Sequence, residues 1–182
     1  MKISITLKNT NKKSKNYKKV KEIYYEAFPK HEQIPLFLLN YKIKTKKSSF
    51  MEIYDENKII GMAYIATYKN IAYIFFLAID KNARGSGYGG KVLEAIKEKY
   101  KGYNILLNIE NIDKNAENYE QRIKRKKFYI KNGFKDLDYT VTELGYIYEV
   151  LGYGENIKKQ DYNEIMEYFF GKVIYKIISN KK

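Results

Sequence analysis

Between Arg84 and Val92 the chain spells Arg84-Gly85-Ser86-Gly87-Tyr88-Gly89-Gly90-Lys91-Val92, with four glycines among the seven residues from 84 to 90. Glycine lacks a Cβ and tolerates positive φ, so this stretch can turn backbone N–H groups toward an anion. An apolar run ending at Ile79 precedes it and a helical pattern follows it, which sets a helix N-terminus and its partial positive charge beside the turn. A plain strand-to-helix turn needs one or two glycines; four point to a bound phosphate or pyrophosphate.

Three phosphate-binding patterns fit in part. G-x-x-x-x-G-K-[ST] matches from Gly85 to Lys91 and fails at Val92, where a hydroxyl should hold magnesium. G-x-G-x-x-G matches at Gly85, Gly87 and Gly90, and Glu110 lies at a suitable distance for a ribose. Residues Asp80 to Arg84 nevertheless separate the strand from the first glycine, and the strands ahead read as hairpins rather than as a βαβ unit. The third pattern, [QR]-x-x-G-x-[GA], matches Arg84 to Gly89 and lies between an apolar strand and a helix.

Other chemistry-bearing residues are few. Cysteine is absent, which excludes disulfides, thiolate metal sites and acyl transfer through an enzyme cysteine. His31 is the single histidine, has no partner triad and reads as a surface residue; no metal site is expected. In a period-2 register Asn108 and Glu110 share a face with Leu106 at the end of a central strand. Glu110 is therefore either a candidate base or a partner for Arg122 or Arg125 on the next helix.

The elements that must position these residues follow from periodicity. Strands are predicted at residues 3–7, 50–54, 58–68, 71–79, 104–110, 134–142 and 146–151, with a turn at Asp55-Glu56-Asn57. Helices are predicted from Ser14 to Phe28, from Pro35 through Ile43, after the glycine turn through Val92, Leu93, Ile96 and Tyr100, and as a basic helix from Ala116 to Asn132. Tyr162, Ile165, Met166, Phe169, Phe170, Val173, Ile174, Ile177 and Ile178 predict one continuous C-terminal amphipathic helix with Asp161 as its cap. Its apolar stripe packs on its own domain or forms a homodimer contact.

The third glycine pattern resembles motif A of the GCN5-related N-acetyltransferases (GNAT). Phe128-Tyr129-Ile130-Lys131-Asn132-Gly133-Phe134, about forty residues on, looks like that family's F-Y-x-x-x-G-F signature. The resemblance implies an α+β fold: a mostly antiparallel central sheet of about seven strands with flanking helices, spanning residues 1–154, with 155–182 as a helical extension. It implies acetyl-CoA as the cofactor, without a metal, and transfer to a small-molecule or peptide amine by direct attack in a ternary complex. The pyrophosphate would take N–H donors from Arg84, Gly85, Ser86, Gly87, Tyr88, Gly89 and Gly90. Backbone groups near Leu77 and Ile79 would hold the pantetheine arm between that strand and residues 105–109. The family's general acid falls on Tyr129, with a core aromatic as the plainer reading. The segment from Phe28 to Pro35 resembles a bacterial branch whose F-P-x-x-E-x-x-P glutamate faces the acceptor, which makes Glu32 the first candidate base, ahead of Glu110. The stretch from Asn111 to Lys127 is longer than the usual link and leaves the acceptor pocket open.

Composition sets the outer bounds. With 182 residues, one domain is expected. The longest apolar run, Ile71 to Ile79, is too short to span a bilayer, and the start has no apolar leader, so a cytoplasmic protein with no membrane partner is expected. The net charge of +14 suggests nucleic acid, but only Arg84, Arg122 and Arg125 are arginines and the lysines read as solvated faces. A basic nucleic-acid-binding module and an acyl-CoA sensor stay open as rival functions on the same fold.

Overall fold

The computed structural model describes residues 4–180, with Asn180 described by its backbone only. The expected strand residue Ile3 lies outside the described residues. Among the described residues there are seven strands and six α-helices, in an α+β arrangement. The strands are β1 (Ile5–Asn9), β2 (Ser48–Asp55), β3 (Lys58–Tyr68), β4 (Ile71–Ile79), β5 (Asn104–Glu110), β6 (Lys135–Glu143) and β7 (Tyr146–Tyr153). The helices are α1 (Tyr17–Ala27), α2 (Leu36–Lys44), α3 (Tyr88–Lys99), α4 (Tyr119–Lys131), α5 (Lys159–Phe170) and α6 (Lys172–Asn180). The hydrogen-bonded order is β1-β2-β3-β4-β5-β7-β6, and β1/β2, β2/β3, β5/β7 and β6/β7 pair antiparallel.

The chain divides into two compact units, one made of residues up to Ala66 with Ile74–Lys101, the other of Thr67–Tyr73 with everything from Gly102 onward. In the first, α1 buries Val20, Ile23 and Tyr24, while Val92, Leu93 and Ile96 of α3 are fully buried. Each such side chain contributes about 1.5–3 kcal/mol relative to exposure, and this packing fixes the direction in which α3 leaves the glycine turn. In the second unit Ile105, Leu106, Leu107 and Ile109 of β5 and Val150 and Leu151 of β7 form the core with Tyr162, Ile165, Met166 and Phe169 of α5.

The differences from the sequence expectations have local causes. α1 starts at Tyr17 rather than Ser14, because Asn11 and Ser14 bond the local backbone: Asn11 N–H donates to Ser14 Oγ at 3.0 Å and Lys13 N–H to Asn11 Oδ1 at 2.9 Å. α4 starts at Tyr119 rather than Ala116, since Asp113 accepts from Asn115 N–H at 2.9 Å in a turn of its own. The single expected C-terminal helix is two helices. Gly171, at φ 88, ends α5 by donating to the Glu167 carbonyl, and α6 starts afresh. Asp161 is not the cap residue but lies in the first turn of α5, where its carboxylate accepts the Lys158 N–H at 2.8 Å.

Candidate active site

The glycine loop is prepared by Asp80. Its N–H donates to the Ile60 carbonyl at 2.8 Å, continuing the sheet one residue past β4, and its Oδ1 accepts the Asn82 N–H at 2.9 Å. That bond starts a single 3-10 turn over Lys81–Ala83, so the five residues before the first glycine are one compact turn. Asp80 is buried and ion-paired with Lys19 of α1. The Lys19 hydrogen bond holds the Asp80 carboxyl below the usual range, against the opposing effect of burial. Neither Lys19 nor Asp80 was picked from the sequence; Asp-Lys-Asn before a glycine turn is the signal that could have found the second.

Two bonds then hold the loop. Arg84 Nε donates to the Ile79 carbonyl at 3.1 Å, and the Tyr88 hydroxyl donates to Asp55 Oδ2 at 2.7 Å, tying the first residue of α3 to the last residue of β2. Asp55 Oδ1 also accepts the Ser4 N–H at 2.9 Å. Arg84, Gly85, Ser86 and Gly87 are exposed, and Tyr88, Gly89 and Gly90 are half-buried. Gly85 and Gly87 lie at φ 81 and 77, the left-handed region. A Cβ built on either meets no atom within 4 Å. No side chain caps α3, so its first N–H groups, a helix's orphan donors, have no partner from a capping side chain. The arrangement offers open space, backbone donors and a helix dipole to an anion, which fits a pyrophosphate. Along the second half of β4, Phe75, Leu77 and Ile79 are half-buried while Phe76 and Ala78 are buried. This alternation leaves the Leu77 and Ile79 side less covered. Lys91 pairs with Glu94 at 3.0 Å on the exposed face of α3.

The loop carrying Glu32 is shaped by Tyr24, whose hydroxyl donates to the Ile34 carbonyl at 2.9 Å and accepts the Ile34 N–H at 2.8 Å. Gln33 Nε2 donates to the Phe28 carbonyl at 2.6 Å. Glu32 is half-buried there, with its Oε1 3.8 Å from His31 Nε2.

In the second unit Glu110 meets α4. Its carboxylate accepts from Asn118 Nδ2 at 2.9 Å and from Arg125, with Arg122 Nη2 at 3.4 Å. Burial alone would raise this carboxyl; the hydrogen bonds and the two guanidinium charges outweigh it and hold it low. Tyr129 lies further along α4, its ring edge-on to Phe128 at 5.2 Å and to Phe134 at 5.6 Å. Its hydroxyl makes no hydrogen bond among the described residues, and burial pushes it up to about 12, opposed by the Arg125 charge. At neutral pH it is a donor, not a base. The structure thus brings Arg84 to Gly90 together as one cradle, places Glu110 in an ion-pair cluster, and leaves Tyr129 as a protonated phenol.

Residues 46–136 match the family model described as an Acetyltransferase (GNAT) domain. The chain belongs to this acetyltransferase family. It is 34% identical over 70 residues to YjbC of Bacillus subtilis (strain 168), which carries an acetyltransferase designation; the match covers 38% of this chain and 34% of that protein, so the chain spans about a third of its relative's length. A structure from Bacteroides thetaiotaomicron, designated a GNAT-family acetyltransferase, superposes with a TM-score of 0.75 at 22% identity, covering 93% of this chain and 98% of that one. Arabidopsis thaliana Naa50, in complex with the bisubstrate analogue CoA-Ac-MVNAL, superposes with a TM-score of 0.60 at 20% identity, covering 84% and 99%. At these identities the two structures are similar in fold. No helix of the described residues is long and apolar enough to cross a membrane.

Proposed function

We propose that the protein is an N-acetyltransferase that passes an acetyl group from acetyl-CoA to an amine by direct attack in a ternary complex. One observation carries this: the uncapped start of α3, entered through Gly85 and Gly87 in left-handed conformation with open space where side chains would stand. In this reading the N–H groups from Gly85 to Gly90 hold the pyrophosphate, Arg84, whose own N–H goes to the Lys81 carbonyl, braces the loop, and the less covered side of β4 at Leu77 and Ile79 receives the pantetheine. Family membership and the CoA-bearing bisubstrate analogue held by Naa50 support it. We assign the transfer to residues 1–154 and treat 155–182 as an extension.

The amine nitrogen forms a bond to the thioester carbon as the carbon–sulfur bond breaks. Glu32 takes the proton the amine must lose, because an ammonium has no lone pair for attack. Tyr129 donates a hydrogen bond to the sulfur as negative charge collects there. A phenol near 12 is a weaker acid than a thiol at about 8.5, so Tyr129 stabilises the leaving thiolate mainly as a donor. Glu110, held low by its arginines, is a poor base and serves to anchor the start of α4.

Calorimetry with acetyl-CoA tests the cradle, and release of free thiol against a panel of amines tests transfer. Micromolar acetyl-CoA binding with amine-dependent thiol release is expected. No binding at micromolar concentrations would sink the proposal; binding without thiol release for any amine would make the protein a sensor.

A further inference from the structure

Gly61 lies inside β3 and is buried, and a Cβ built on it would stand 2.4 Å from the Ala78 carbonyl oxygen of β4. Ile79 Cδ1 would lie 3.3 Å from the same Cβ. Carbon–oxygen contacts settle at about 3.3–3.6 Å, so any side chain here would drive the two strands apart by about 1 Å. Glycine weakens a strand interior, and it is placed where a bulge or a close backbone approach requires it. Gly61 meets both conditions. Ile53 of β2 opposes Gly61 and Tyr54 opposes Ile59, so Ile60 is the extra residue of a bulge. The carbonyl of Ile60 accepts the Asp80 N–H at 2.8 Å.

These contacts reach the glycine loop from both of its ends. Asp80 opens the turn that leads into Arg84, and Ile79 supplies the carbonyl that Arg84 Nε reaches at 3.1 Å. Asp55, the last residue of β2, accepts the Tyr88 hydroxyl at 2.7 Å. The end of the β2–β3 hairpin thus grips the lead-in turn through Ile60 and the start of α3 through Asp55. A side chain at position 61 would break this arrangement at one point. β3 is backed by β2, and its Ile60, Met62 and Ala63 are fully buried, whereas β4 ends at Ile79. The end of β4 is therefore the side that gives way, and Ala78, Ile79 and Asp80 move together.

We infer that Gly61 is a positioning residue for acetyl-CoA: its missing side chain lets β4 end where Leu77, Ile79 and the glycine loop can meet the cofactor. It acts only through the end of β4, and the inference rests on the acetyl-CoA reading of the cradle.

The test is calorimetry with acetyl-CoA on the full chain and on its Gly61→Ala variant. The variant should keep the parent's stoichiometry while its affinity falls about ten- to a hundredfold, the scale of a misplacement of about 1 Å. A purely structural role would do the opposite: fewer folded molecules would bind, each as tightly as the parent. Unchanged affinity, with or without lost stoichiometry, overturns the inference. If Gly61→Ala fails to fold, amide hydrogen exchange on the parent decides. Acetyl-CoA should slow the Asp80 N–H together with those of Gly85 to Gly90, because opening the Ile60–Asp80 bond dismantles the cradle. An Asp80 N–H that exchanges equally fast with and without acetyl-CoA overturns the inference. No acetyl-CoA binding by the parent would remove the cofactor reading and Gly61's role with it; binding by the parent with unchanged affinity in the variant would remove only the role.

Discussion

Arg84 Nε donates to the carbonyl of Ile79 at 3.1 Å, so the residue that opens the glycine loop is tied to the last residue of β4. Arg84 thereby braces the turn through its side chain, and its own N–H donates to the Lys81 carbonyl at 3.4 Å, which leaves an anion to the N–H groups that follow. One lone pair of the Ile79 carbonyl is occupied by this bond. Arg84→Ala should leave the fold intact and weaken acetyl-CoA about ten- to a hundredfold, the scale of one charge-assisted hydrogen bond. Lysine places a single point charge rather than a planar fork, so Arg84→Lys should recover little of the loss. Calorimetry on the two variants checks both.

Gly87→Ala separates conformational strain from ligand space. At φ 77 an alanine costs about 1–2 kcal/mol, although its Cβ meets no protein atom within 4 Å. The melting temperature should therefore fall only by several degrees. Acetyl-CoA affinity should fall by far more than that strain predicts, because the methyl group occupies the space offered to the pyrophosphate. Equal losses in stability and affinity would mean the glycine is needed only for the turn.

Much of this was legible from the residues, and the limits have physical causes. The span of β4 from Ile71 to Ile79 and that of β5 from Asn104 to Glu110 follow from apolar runs bounded by turn residues, and the structure has the same bounds. Helix ends were less legible where Asn11, Ser14 and Asp113 offer the backbone competing local bonds. The break at Gly171 was hidden because the apolar stripe keeps its period on both sides of it. Long-range polar pairs were out of reach: Lys19 with Asp80 and Asn108 with Glu143 are 61 and 35 positions apart, and no local pattern joins them. The cradle residues are contiguous, which is why one stretch of sequence could be read as a candidate site. Glu110 allowed two readings until its two arginines and Asn118 were seen around it.

Tyr129→Phe tests the donor role. The ring contacts to Phe128 and Phe134 survive the change, so stability and acetyl-CoA affinity should hold. The turnover rate should drop about 10²-fold if the phenol assists the leaving thiolate. The pH profile gives an independent check. With the hydroxyl pushed up to about 12, activity should show no tyrosine-dependent decline between pH 7 and 10. Against an unfolded value of about 10, the same shift adds stability that is complete below pH 10 and is lost as pH rises toward 12.

Asp80→Asn tests whether the lead-in turn organises the cradle. The Asn82 N–H still finds an oxygen, but the ion pair to Lys19 is gone. Lys19 is partly solvated, so the loss in stability should be modest, about 1 kcal/mol. The sign with pH is fixed: the folded carboxyl lies below its unfolded value near 3.8, so its contribution is present above that value and disappears as pH falls through the lower one. Wild-type and variant melting curves should therefore differ at pH 7 and converge only as the pH falls below the lowered folded value. Acetyl-CoA affinity at pH 7 should fall as well, although Asp80 is buried behind the loop. A variant that loses stability yet binds acetyl-CoA as tightly as the parent would show that Gly85 to Gly90 hold their conformation without the turn before them.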